Sequence, residues 1–225
     1  MPASASMVAD RTVVKVGNGS GVIVGRSGND YYILTNAHVV GAFNNQESVV
    51  LPDGRAVEGV VVKNNRWYDF DSKGDDLAIV RVRSSAVLSV APVGGGELKP
   101  GDAVLQAGFP LRADRDAVLL SKRSTGLYAK TAFVSEDRDA GDRDSGRRLQ
   151  GSYEIGLAGV LPVGSSGGGT FDVHGRLVGL NGRSSNGLPM PTQGGPPARP
   201  SAGTAGYIID TQTLRDFMRG AVPGY

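Results

Sequence analysis

The sequence predicts an all-β fold, a sandwich or barrel, and three observations carry that prediction. Short apolar runs rich in valine and isoleucine recur between turn residues. Glycine supplies 34 of the 225 residues, which favours many tight turns over long helices. No convincing helical period interrupts this pattern until the last residues of the chain. With 40% hydrophobic residues there is enough apolar material for a packed core, and the length suits one large β domain or two small halves that share an interface.

In chain order, Thr12–Val16 and Gly21–Val24 read as short strands around a glycine-rich turn. Gly17-Asn18-Gly19-Ser20-Gly21 has the look of a dinucleotide fingerprint, but that motif must open a helix, and the β-branched residues that follow argue for a strand. Arg26–Asp30 is a hairpin loop leading into Tyr31–Leu34. Glu47–Leu51, the turn Pro52–Arg55 and Val57–Val62 repeat the strand-turn-strand pattern. Asn64–Asp75 is a polar loop holding Trp67, the single tryptophan, and Leu77–Val82 is a buried strand behind the acid pair Asp75-Asp76.

Residues 84–101 are mostly small and read as a connection, which divides the chain into halves 1–101 and 102–225. The second half opens with Ala103–Gly108 and Val118–Leu120. Residues 136–144 are dense in both charge signs without the spacing of a calcium loop, and so read as a solvated loop. Strand character returns over Leu149–Ile155 and Arg176–Asn181. Leu188–Gly203 is a loop rich in proline and glycine, Gly206–Asp210 a final strand, and Thr211 or Thr213 caps a short helix through Met218.

Composition excludes several functions. Net charge is +2, with acids and bases nearly balanced, so no basic field points to nucleic acid. The absence of cysteine removes thiolate metal sites and a disulfide framework. No apolar run approaches the ~20 residues of a membrane span, and Met1–Met7 lacks the apolar segment of a signal peptide. The expectation is a cytosolic protein, or an extracytoplasmic one, periplasmic or secreted, whose leader has been removed.

The chemistry centres on Pro162-Val163-Gly164-Ser165-Ser166-Gly167-Gly168-Gly169-Thr170. A serine framed by glycines can hold its hydroxyl at the tip of a tight turn, with its own N–H and that of Gly164 directed into one pocket, the layout of a nucleophile beside an oxyanion hole. Such a serine needs a base and a group to orient the base, and the chain has two histidines. His174 lies in a hairpin turn only a few residues beyond Ser166, where an exposed turn residue is expected; His38 ends an apolar run and is left as the base. Asp76, next to the buried strand, is the orienting carboxylate. Gly164-Ser165-Ser166-Gly167-Gly168 also fits the G-x-S-x-G elbow of esterases, but that fold places its acid and histidine after the serine and needs helices between parallel strands.

Taken together, Gly19–Val24, Thr35–Val40, Asp76–Val80, Lys99–Val104, Gly108-Phe109-Pro110 and Gly164–Gly168 resemble the trypsin-like, or chymotrypsin-fold, serine peptidases, in particular the HtrA-like bacterial branch, here without a PDZ domain. The resemblance implies two six-stranded antiparallel β-barrels with a short C-terminal helix, the first carrying His38 and Asp76 and the second Ser166. It implies a serine endopeptidase that cleaves proteins or peptides through an acyl-enzyme, without metal or cofactor. Gly164 and Ser166 would form the oxyanion hole. The substrate pocket would have its floor near Val160, with Leu161 beside it and Gly206 opposite, and would prefer small or medium apolar P1 residues, since no acid stands at Val160. Gly182-Arg183-Ser184 would pair with the substrate backbone. Ser165 departs from the family's Asp or Asn at that position, and Gly169 from its usual proline. A catalytically silent module binding partners through the same cleft or the proline-rich loop is the rival reading.

Overall fold

The structure, a computed structural model, describes residues 3–41, 45–65, 74–94, 96–113, 116–120, 126–138, 152–184 and 205–225. Two antiparallel barrels dominate it. The first closes in the order β1 (Val13–Val16), β2 (Gly19–Ser27), β3 (Asp30–Thr35), β6 (Ala78–Arg83), β5 (Ala56–Asn64), β4 (Gln46–Val50), with β4 returning to β1. The second runs β10 (Ile155–Ala158), β13 (Gly206–Asp210), β12 (Leu177–Ser184), β11 (Gly169–Phe171), β7 (Ala103–Gly108), β9 (Tyr128–Arg138), and the pairing of β9 with β10 closes it. The two-residue strand β8 (Val118–Leu119) attaches to β9 outside this ring. The all-β, double six-stranded architecture expected from the sequence is the one observed.

The near-continuous apolar runs have a simple cause: several strands are buried on both faces. Along β2, Ile23 points into the first barrel with Val14, Ile33, Val80 and Leu51, whereas its neighbours Val22 and Val24 point outward. Those outward residues meet Leu105, Phe109, Phe171, Leu180 and Ile209 of the second barrel in a shared core. A third apolar cluster, including Val104, Ala132, Leu157, Val178 and Ile208, fills the second barrel. The interface between the barrels is therefore as dry as their interiors, and it holds loops from the two halves in register.

Several local expectations are corrected. The N-terminal helix α1 (Ala3–Thr12) was not anticipated. Its buried residues, Ala5, Ala9 and Thr12, are too small or polar to mark an apolar stripe, yet Ala5 and Ala9 sit in the shared core. Strand β9 covers residues passed over in the sequence and extends through Glu136–Arg138, so the charged stretch begins on a strand, Arg138 pairing with Ile155. Of the strand expected over Leu149–Ile155, residues 149–151 lie outside the described residues, Ser152 with φ +62° breaks the extended backbone, and β10 starts at Ile155. The C-terminal helix α3 (Thr211–Met218) is capped by Asp210, which accepts from the Thr213 N–H at 3.0 Å, and not by either threonine. Gly19–Gly21 lies within β2 and opens no helix. Trp67, the rest of the charged stretch and the proline-rich loop lie outside the described residues. Among the described residues no helix is long and apolar enough to cross a membrane.

Candidate active site

His38 lies on α2 (Ala37–Val40), a single helical turn that follows β3 and ends at Gly41. Asp76 precedes β6, held by a tight turn in which Leu77 N–H donates to Asp75 O at 2.8 Å. Because β3 and β6 are paired, with Thr35 opposite Ala78, the segments leaving their ends emerge side by side. Asn36 ties them together, its Nδ2 donating to the Asp76 carbonyl at 2.9 Å.

The Asp76 carboxylate is 0% exposed and accepts three donors. The His38 backbone N–H reaches Oδ1 at 2.9 Å, His38 Nδ1 lies 2.6 Å from Oδ2, and the Tyr153 hydroxyl donates to the same Oδ2. Burying a carboxylate is costly unless its lone pairs are filled, and here they are filled by groups from both barrels. The His38 side chain is 30% exposed, so one edge of the ring faces solvent while the other is locked to Asp76. With Nδ1–H directed at the carboxylate, Nε2 is the nitrogen left to accept a proton.

Ser166 sits between Pro162 and β11, in a turn held by short polar contacts. Ser165 N–H donates to Pro162 O and Gly168 N–H to Ser165 O, both at 3.0 Å. The first barrel grips the turn through Ser20. Its N–H donates to Ser166 O at 2.8 Å, its hydroxyl donates to Gly164 O at 2.8 Å, and the same oxygen accepts from Phe109 N–H at 2.9 Å. Thr35 holds Ser20 in turn, donating to its carbonyl at 2.7 Å. From the second barrel, Asn181 accepts from Gly167 N–H and donates to Gly168 O, each at 2.8 Å. Gly167, with φ +79°, has no room for a side chain, since a Cβ there would stand 2.2 Å from Ser20 O. These contacts give the turn its shape without a proline at position 169.

Gly164 adopts φ +94°. Among the described residues, neither its N–H nor that of Ser166 donates to a backbone carbonyl. The Ser166 hydroxyl donates to Gly182 O at 3.0 Å. Gly182 in turn lies against the ring of Tyr153, the residue that binds Asp76. On the other side of the serine turn, Gly19 lies between Val39, next to His38, and the Ser166 carbonyl. His38 and Asp76 are thus in direct contact, and Ser166 is linked to Asp76 through Gly182 and Tyr153, whereas His174 is an exposed turn residue whose N–H donates to Asp172.

Among the residues expected to form the substrate pocket, Leu161 is 5% exposed and faces Gly206, whose Cβ would fall 3.1 Å from Leu161 Cγ; Val160 is 42% exposed. The Val160 carbonyl accepts from buried Lys130. Arg183 and Ser184 pair with β13, opposite Tyr207 and Gly206, and the register shifts at Gly182 between Asn181 and Arg183. Among the described residues no cluster of side chains suits a metal ion.

Tyr153 and Ser20 are the contributors that a reading of residue patterns does not single out for these contacts. Ser20 at least stands within a glycine-flanked stretch. Nothing in the neighbourhood of Tyr153 sets it apart from the many tyrosines found near strand ends.

Comparison with known proteins bears on the fold and the family. One 164-residue stretch, 72% of this chain, is 32% identical to a "Serine protease HtrA-like" of Staphylococcus aureus strain bovine RF122 / ET3-1 and spans about a fifth, 19%, of that relative's length. In fold the chain is similar to the serine endoprotease from Yersinia pestis, with TM-score 0.64 at 23% identity, covering 97% of this chain and 66% of that one. It is likewise similar to the HtrA-type protease AlgW with tripeptide, with TM-score 0.70 at 23% identity, covering 99% and 64%. Residues 19–180, from the start of β2 to the middle of β12 and so containing His38, Asp76 and Ser166, match the model of the trypsin-like peptidase domain, and the chain belongs to that family.

Proposed function

We propose that this chain is a serine endopeptidase in which His38, Asp76 and Ser166 act together on peptide bonds. The observation that carries the reading is the buried Asp76 carboxylate 2.6 Å from His38 Nδ1, linked through Tyr153 and Gly182 to the glycine-framed Ser166. For reaction, the Ser166 hydroxyl turns from Gly182 O to His38 Nε2, which takes its proton as the oxygen attacks the substrate carbonyl carbon. Asp76 stabilises the imidazolium that forms. The carbonyl oxygen becomes an oxyanion held by the N–H groups of Gly164 and Ser166, each of which is worth ~3–4 kcal/mol of barrier in sites of this kind. The imidazolium then protonates the leaving amine, the acyl group stays on Ser166 Oγ, and a water activated by His38 releases it.

Support for the specificity assignment comes from Leu161, an apolar, buried side chain packed opposite Gly206, which suits small or medium apolar P1 side chains. We assign the pairing with an extended substrate backbone to Gly182–Ser184, the end of β12 that continues past its pairing with β11. Two measurements test the reading together. The purified chain should hydrolyse peptides and be labelled at Ser166 by a fluorophosphonate, and Ser166→Ala should abolish both while retaining its circular dichroism. Turnover that survives in Ser166→Ala would refute it.

A further inference from the structure

We propose that Tyr153 is a positioning residue of this site, its phenol holding the Asp76 carboxylate in the orientation that His38 requires; the proposal rests on the endopeptidase reading above. Tyr153 is 4% exposed and donates its O–H to Asp76 Oδ2, the oxygen that also receives His38 Nδ1. The carboxylate is thus fixed at both oxygens, Oδ1 by the His38 main chain and Oδ2 by two side chains. Without the phenol, rotation of the carboxylate would be opposed only by His38 itself.

The ring is placed as carefully as the hydroxyl. A Cβ at Gly182 would lie 2.1 Å from Tyr153 Cε1, so glycine at 182 is what allows the ring to lie beneath the strand whose carbonyl receives Ser166 Oγ. The Arg183 guanidinium stands 5.7 Å from the ring centroid. Tyr153 therefore touches Asp76, which holds His38, and Gly182, which receives Ser166 Oγ.

The backbone is bent to the same end. Ser152 takes a left-handed φ of +62°, rare without glycine, and its hydroxyl bonds Asp75 Oδ1 while Tyr153 bonds Asp76. One irregular segment of the second barrel so grips both members of the acid pair on the first. Burial, followed by the nearby Asp76 charge, pushes the phenol well above its ordinary titration range, which keeps it a donor.

Tyr153→Phe retains the ring and deletes only the donor. In that variant kcat should fall about tenfold, ~1.4 kcal/mol of barrier, with KM within about twofold. The downfield proton resonance of His38 Nδ1–H should move, because Oδ2 has lost its second donor. A second measurement needs no change at Tyr153: in Asp76→Asn, the hydroxyl proton resonance of Tyr153 should shift or vanish along with the His38 resonance. Unchanged kcat with an unmoved His38 resonance would overturn the proposal, as would a rise in KM alone, which would make Tyr153 a substrate contact. If the wild-type chain shows no turnover, the endopeptidase reading fails, while the two resonances still decide whether Tyr153 positions Asp76.

Discussion

Replacing Asp76 by asparagine exchanges one oxygen for an NH2 group at nearly constant size, at a side chain that is 0% exposed and takes donors from three directions. The asparagine amide has one oxygen. If that oxygen stays on the His38 backbone N–H, the NH2 group confronts both His38 Nδ1 and the Tyr153 hydroxyl, which now act as donors against a donor. The imidazole resolves the conflict by moving its proton to Nε2, leaving Nδ1 to accept from the amide. Nε2 can then no longer take the serine proton, and no carboxylate remains to balance an imidazolium. Loss of the tautomer and the charge together should lower kcat by about four orders of magnitude, ~5–6 kcal/mol. The disrupted hydrogen bonds should lower stability by about 1–3 kcal/mol, little enough for the variant to fold. Peptide hydrolysis under saturating substrate gives kcat, and chemical denaturation gives the stability change. A variant that keeps more than about a tenth of wild-type kcat would refute the assignment of Asp76, because the tautomer argument allows no such residue of activity.

Two other perturbations probe different parts of the molecule. Leu161→Ala removes the side chain packed opposite Gly206 and should improve kcat/KM for a large apolar P1 residue relative to alanine by about tenfold; a peptide-library profile identical to wild type would show that Leu161 does not bound the pocket. Glu154 accepts from the Asp210 N–H and the Thr213 hydroxyl at the start of α3, yet burial, the largest effect, raises its carboxyl from the usual 4.5 to about 7. The nearby Asp210 and Asp75 charges push in the same direction, and the two hydrogen bonds oppose it. The folded chain therefore binds a proton more tightly than the unfolded one. This contribution to stability is complete below about pH 4.5 and is lost as pH rises through about 7, a difference of at most about 3 kcal/mol. Glu154→Gln should flatten the dependence of the urea midpoint on pH between 5 and 8 and raise stability at pH 8, and parallel curves for the two proteins would contradict this.

How legible each feature was depended on the range of its physical cause. The β-branched runs, the turn residues between them and the glycines about Ser166 are local signals, because turn geometry and strand propensity act over a few neighbours. The ordered motifs added the double barrel. Strand β9 escaped notice because its value lies in pairing with β7 and β10, and helix α1 because small residues bury well only against a surface already formed. The cap of α3 shows the same competition at close range: Thr213 is committed to Glu154, which leaves Asp210 to take the open N–H.

The sequence by itself determined the β architecture, the glycine-framed serine and the short list of one usable histidine and one acid pair, since residue chemistry and local backbone preference specify those. Only the tertiary structure decided which groups fill the Asp76 lone pairs, that Ser20 and Asn181 hold the serine turn from opposite sides, and that Tyr153 lies beneath Gly182. Those relations depend on how two barrels pack, and contacts between residues more than a hundred positions apart in some cases, such as Ser20 and Gly164, leave no trace in the neighbours of either one.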